Sequence, residues 1–225
     1  MSYILNIETS TLKCSVSIAY KGEYVAGEQL LANEFIHGEK LHVFIRDIFE
    51  KTKIKKKDLN AVAVSKGPGS FTGLRIGVAA AKAICFAQDV PLIAINTLEI
   101  IAAPFFNKSE YNYLIPILDA RRMEVYSAIF DAKKRCIQKT NAVVLSENSF
   151  FDKVENGSCL VIGNGASKFK TLKPKINADF NAEYFPSAKD MCEVSWDLYK
   201  KKSYENLEFF EPFYLKDFQT RFIKK

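Results

Sequence analysis

The spacing of apolar positions changes several times along the chain, and each change marks an element. Residues 3–7 form a short apolar run, residues 14–20 alternate with Val16 and Ile18 as apolar members, and residues 23–31 follow a Lys21-Gly22 turn. A period of two predicts three successive strands. Over residues 39–52 the period lengthens. Leu41, Phe44, Ile45, Ile48 and Phe49 share one helical face, with Lys40, Arg46, Asp47 and Glu50 elsewhere. Residues 61–65 then read as a buried strand, 71–88 as a long apolar helix, 92–95 as a strand and 97–103 as a short helix stopped by Pro104. After the polar stretch 107–112 the pattern restarts. Residues 113–118, 124–131 and 136–145 read as strands, 149–154 as a weak helix, 159–163 as a strand and 191–201 as a helix carrying Trp196. The expected architecture is α/β, with two lobes at residues 1–109 and 110–225, each opening with three strands before its first helix.

Apolar side chains make up 48% of the 225 residues and charged ones 26%, the balance of a chain that buries a core. No apolar run approaches the roughly 20 residues of a membrane-spanning helix, and no basic-then-apolar leader precedes the first strand. A soluble, cytoplasmic protein without membrane contact is expected. The five cysteines, Cys14, Cys85, Cys136, Cys159 and Cys192, are scattered without a C-x-x-C pair, which fits reduced thiols better than a zinc cage or a disulfide framework. A net charge of +6 permits contact with nucleic acid without requiring it. The densest basic run, residues 51–57, fits a solvated helix end, where lysines complement the helix dipole.

Gly67-Pro68-Gly69-Ser70-Phe71-Thr72-Gly73-Leu74-Arg75-Ile76-Gly77 joins a strand to a helix, where backbone N–H groups converge on anions. A Walker A loop would end in Gly-Lys-Ser/Thr, and a dinucleotide fingerprint needs G-x-G-x-x-G; Gly67, Gly69 and Gly73 satisfy neither. The loop is a tight turn whose Ser70 or Thr72 can cap the helix. Within that helix Gly73, Gly77, Ala81 and Cys85 make a stripe of small residues, which admits a close neighbour: the protein's own sheet or a second chain. The helix is apolar almost all round, more than one face can bury, which favours a helical contact with a partner.

This glycine segment, the opening Glu8-Thr9-Ser10-Thr11, Asp119-Ala120-Arg121-Arg122 followed by Glu124-Val125-Tyr126, and Glu211-Pro212-Phe213-Tyr214-Leu215 together resemble the TsaB family, also called YeaZ. The resemblance runs in order along nearly the whole chain. It implies an actin-like ATPase fold (the acetate and sugar kinase–Hsp70–actin class) and a part in making N6-threonylcarbamoyladenosine in tRNA. It further implies a catalytic paralogue, TsaD, as partner, with the ATPase TsaE joining the assembly. Contact would run through Leu41, Phe44, Ile45, Ile48, Leu74, Gly77, Val78, Ala81 and Cys85, and the same surface would form a homodimer when the chain is alone. With the basic runs dispersed, tRNA contact is expected to be indirect.

Related kinases bring a glycine-containing hairpin against ATP phosphates, since only a bare backbone approaches closely enough. Glu8, Thr9 and Ser10 here lead a hairpin without glycine, and the matching turn at Asp119 and Arg121 has none either. The family's usual first acid is aspartate, whereas this chain has Glu8. These residues read as a vestigial cleft, with no catalytic residue and no cofactor. Arg75, Asp119, Arg121, Arg122 and Glu124 read as surface ion pairs or, by resemblance, as the cleft edge beside the partner. TsaD-like paralogues bind metal through histidines four residues apart on one helix face. His37 and His42 are five apart, roughly 140° around a helix, so no metal site is expected. The competing reading is an ATP-dependent small-molecule kinase or ATPase of the same fold.

Overall fold

The computed structural model describes residues 2–106, 110–154 and 157–216. The expected lobe boundary at residue 109 lies outside the described residues. The first sheet contains β1 (Tyr3–Glu8), β2 (Lys13–Tyr20), β3 (Glu23–Leu31), β4 (Leu59–Gly67) and β5 (Leu92–Asn96), in the order β3-β2-β1-β4-β5. β1 and β3 pair antiparallel with β2, while β4 runs parallel to both β1 and β5. The second sheet contains β6 (Tyr113–Asp119), β7 (Glu124–Asp131), β8 (Cys136–Val144), β9 (Cys159–Ile162) and β10 (Ala178–Asn181), in the order β10-β9-β6-β7-β8. Read from the other edge, its third, second, first, fourth and fifth strands are neighbours, which repeats the first sheet. The two sheets also share one pattern of parallel and antiparallel pairing, as the expected α/β architecture with a restart requires.

Central strands read as continuous apolar runs because both their faces are covered. Leu5 and Ile7 of β1 face α1 (His37–Thr52) and α2 (Phe71–Gln88), meeting Leu41, Ile48, Val78 and Ala81. Ile4 faces the other way, toward Ala188, Met191 and, on α6 (Cys192–Lys200), Val194 and Trp196. The segment after the second sheet thus returns to the first. Between the sheets lies α3 (Thr97–Ala102), with Ile100 packed against the first core and Leu98 and Ile101 against the face of the second that holds Leu114 and Phe130. The opposite face of the second sheet packs on α4 (Phe151–Val154) and α5 (Ala166–Thr171), through Val154, Ala166 and Phe169.

The expected Lys21-Gly22 turn is a two-residue hairpin, both residues having positive φ. Thr97–Ala102 is followed by a 3-10 turn at Ala103–Phe105 that contains Pro104. Besides a 3-10 turn at Lys56–Asp58, one helix and one strand went unpredicted. α5 is six residues long and carries only Ala166 and Phe169 toward the core, too few for a helical period. β10 is four residues, containing Asp179 and ending in Asn181, residue types that disfavour strands. Among the described residues no helix is long and apolar enough to cross a membrane.

Candidate functional site

The glycine loop, the β1–β2 turn and the C-terminal segment converge at the start of α2. Gly67 closes β4 with φ +110°, a conformation that L side chains rarely adopt, and a Cβ there would lie 2.7 Å from the Phe213 carbonyl oxygen. At Gly69 a Cβ would lie 2.4 Å from Ser10 O, and the next backbone N–H, of Ser70, donates to that oxygen at 2.7 Å. Ser70 is the N-cap of α2, its Oγ accepting from Gly73 N at 3.2 Å. The loop therefore approaches the β1–β2 turn backbone to backbone.

That turn has its polar groups engaged inward. Thr9 Oγ1 donates to Gly73 O at 2.9 Å, and Nε2 of His37, the first residue of α1, lies 2.8 Å from Thr11 O. Glu8 Oε1 accepts from Ser10 N at 2.6 Å, while Oε2 is buried with no partner among the described residues. Complete burial outweighs the hydrogen bonds from Ser10 and Ser65 and pushes the Glu8 carboxyl up to about 7. Burial also lowers the pKa of His37. His42 is exposed on the same helix, apart from His37, and among the described residues no three His, Cys, Asp or Glu side chains come together as a metal would require.

The Glu8 shift carries a pH prediction. Native Glu8 keeps its proton where the unfolded carboxyl, titrating near 4.5, has lost it. The native state therefore binds more protons between these values, and stability falls as pH rises from 4.5 through 7. At about 1.4 kcal/mol per pH unit this amounts to about 2–3 kcal/mol between pH 5 and 8. Glu8→Gln is expected to remove that loss. Urea unfolding at the two pH values checks it, and an unchanged pH slope in the variant would count against a protonated native Glu8.

The two halves of the predicted cleft set come from different sheets. Asp119 and Arg121 lie on the β6–β7 hairpin, where Asp119 Oδ1 pairs with Lys168 Nζ at 2.7 Å and accepts from Arg121 N at 2.6 Å. Among the described residues no hydrogen bond or ion pair joins them to Glu8, Thr9 or Ser10. Gly163 and Gly165 pack against the Ile117 end of β6; a Cβ at Gly163 would meet Ile117 O at 2.4 Å.

Most of the residues expected at a partner interface belong to this chain's own core. Leu41, Ile45, Ile48, Leu74, Gly77, Val78, Ala81 and Cys85 are buried, and Phe44 is half-buried. The small-residue stripe faces the β1–β2 turn, with a Cβ at Gly77 placed 2.2 Å from Thr9 Oγ1. The apolar surface that α2 leaves uncovered is the opposite one. It comprises half-buried Ile76, exposed Ala79 and Ala83, and Phe86, which is 83% exposed. A hydrophobic count showed that α2 had apolar surface to spare; without the position of Thr9 it could not show which side.

The C-terminal segment was the least legible part. Glu205 N donates to Leu92 O at 2.9 Å at the edge of the first sheet. Lys82 Nζ then donates to Glu208 O and Phe210 O, each at 3.1 Å. Phe213 N donates to Lys66 O at 2.7 Å, and the Tyr214 ring lies 5.0 Å from that of Phe71. Lys216 ends the strap by pairing with Glu124 in the second half. Nothing periodic announces these contacts, which are made largely by backbone groups.

Comparison with known proteins gives a consistent answer. A family model described as "TsaD: tRNA N6-adenosine threonylcarbamoyltransferase" matches residues 35–222. The "tRNA threonylcarbamoyladenosine biosynthesis protein TsaB" of Escherichia coli is 28% identical over 221 residues, 95% of this chain and 94% of that protein. The protein of the same description from Buchnera aphidicola subsp. Acyrthosiphon pisum is 31% identical over 193 residues, 84% of this chain and 86% of its own length. Among solved structures, "YeaZ from Pseudomonas aeruginosa" has a TM-score of 0.81 at 23% identity, covering 96% of this chain and 100% of that one, which shows the shared fold.

Proposed function

This chain belongs to the TsaB family, and on that premise we propose that it is a non-catalytic subunit of the complex that adds threonylcarbamoyl to N6 of adenosine 37 in tRNAs reading codons that begin with A. Its partner is a TsaD-type catalytic paralogue in the cytoplasm, with a TsaE-type ATPase in the larger assembly. Alone, the chain pairs with itself through the same surface. We divide it into lobes near residue 110.

The observation that carries the subunit reading is the uncovered face of α2. Ile76, Ala79, Ala83 and Phe86 follow helical spacing on one side, and an exposed aromatic at the end of an aliphatic stripe marks a surface that a second helix would cover. The non-catalytic part is supported by the β1–β2 turn. It has no glycine, its Ser10 and Thr11 carbonyls are engaged by Ser70 N–H and His37, and Gly69 occupies the close approach that a phosphate would need.

Depletion of the protein followed by mass spectrometry of tRNA nucleosides tests the assignment. Threonylcarbamoyladenosine is expected to fall severalfold or more, and an unchanged level would overturn the reading.

A further inference from the structure

Basic residues far apart in the sequence are gathered by the fold beside the start of α2. Arg75 stacks on the Phe71 ring, 4.0 Å from its centroid, and its Nε donates to Tyr214 Oη at 3.1 Å. Its terminal nitrogens have no partner among the described residues. Two residues along the strap from Tyr214, a span of about 7 Å in extended chain, Lys216 pairs with Glu124. Glu124 N donates to Arg121 O at 3.2 Å, and Tyr126 feels the charges of both Lys216 and Arg121. Arg75, Lys216, Arg121 and Arg122 thus lie along one rim. Of the carboxylates beside them, Asp119 pairs with Lys168 and Glu124 with Lys216, so Arg75, Arg121 and Arg122 are the rim's cations outside ion pairs among the described residues.

The β6–β7 hairpin adds an independent sign. Arg121 and Arg122 have φ of +68° and +48°, where glycine and asparagine are at home and a larger side chain is strained. Both are exposed, and neither forms an ion pair among the described residues. This turn geometry recurs at Lys21 and Lys134, and here it places two consecutive arginines on an exposed hairpin tip, where both charges face solvent.

We propose that this rim binds the phosphodiester backbone of RNA. The cations form an exposed line rather than an enclosing pocket, and exposed Phe213 beside them offers a surface on which an unpaired base can stack. A mononucleotide would need a cradle of free backbone N–H groups, and the N–H of Ser70 is engaged by Ser10. That the RNA is tRNA rests on the function proposed above.

The test is binding of the full-length chain to a fluorescent, unmodified tRNA transcript, followed by anisotropy at roughly 50 mM salt and above. Arg121→Asn/Arg122→Gly is expected to weaken binding about tenfold, to lower the salt slope by about 1.5–2, and to raise the melting temperature rather than reduce it. Arg75→Gln is expected to weaken binding severalfold. Lys55→Gln/Lys57→Gln, in the basic run elsewhere, is the control and leaves affinity within twofold of the original. The proposal is overturned if the unaltered chain does not bind, if the arginine variants bind normally, or if the control loses as much. It is equally overturned if Mg-ATP displaces the RNA at micromolar concentration, which would assign the rim to a nucleotide. Nucleoside analysis separates the two ideas: threonylcarbamoyladenosine lost on depletion, with arginine variants that bind RNA normally, sinks only the rim.

Discussion

A single methyl group added to α2 at Gly77 is expected to lower the melting temperature by about 4–8 °C, and removing the Thr9 side chain from the same molecule should restore most of it. The new Cβ would lie 2.2 Å from Thr9 Oγ1, far inside van der Waals contact. Thr9 cannot simply swing away, because that hydroxyl donates to Gly73 O at 2.9 Å. Overpacking of this kind costs about 1–3 kcal/mol and sometimes more, against about 1 kcal/mol gained when alanine replaces glycine inside a helix. With a backbone-near clash at the upper end of that range, the net loss is about 2 kcal/mol, which corresponds to that shift at about 2–4 °C per kcal/mol for a chain of this size. Thr9→Ala deletes the clashing atom, so Gly77→Ala/Thr9→Ala should show strong positive coupling in a double-mutant cycle. Gly73→Ala provides the contrast. Its Cβ would meet the backbone oxygen of Thr9, also at 2.2 Å, which no side-chain truncation at Thr9 can remove. A Gly77→Ala protein that melts like the original would mean that α2 does not sit this close to the β1–β2 turn.

Phe86→Asp is expected to abolish co-purification with the TsaD-type partner while leaving the melting temperature within a degree or two of the original. The side chain is 83% exposed, so removing it leaves no cavity in this chain. In the complex, a carboxylate would be placed where an aromatic anchor had been desolvated. Losses at such central anchors are about 2 kcal/mol or more, which is about 30-fold in affinity. Ala83→Glu, one turn earlier on the same face, should act in the same direction. Ala81→Leu probes the opposite side of the helix; with Ala81 fully buried, its effect should appear as lost stability. Retained binding by both Phe86→Asp and Ala83→Glu would move the interface off α2.

Period and turn chemistry sufficed for most of the scaffold. Alternation located β1 to β3, and the Lys21-Gly22 pair located the hairpin between β2 and β3. The restart after the polar stretch gave the second sheet. These signals are local, and each is written in neighbouring residues. The site was only half legible because its geometry depends on which segments meet. The stripe Gly73, Gly77, Ala81 announced a close neighbour but not its identity, and the neighbour of the two glycines, Thr9, lies some sixty residues upstream. The strap was invisible to pattern reading, since its hydrogen bonds to Leu92 and Lys66 use backbone atoms that every residue carries. Arg75, Arg121 and Arg122 stood out as charged residues, but only the strap from Tyr214 to Lys216 links the first to the other two.

The return of residues 188–199 to the first sheet has a consequence for biosynthesis. Ile4, Ala61, Ala63, Ile93 and Ile95 form one face of that sheet, and Ala188, Met191, Val194 and Trp196 cover it. While the nascent chain is still emerging from the ribosome, the early strands can pair and receive α1 and α2, but on this face only Ile100 of α3 is at hand until residues 188–199 are made. Closure over such long separations is slow, and the bare surface invites association in the interval. Residues 188–199 thus act as the keystone that ends that exposure.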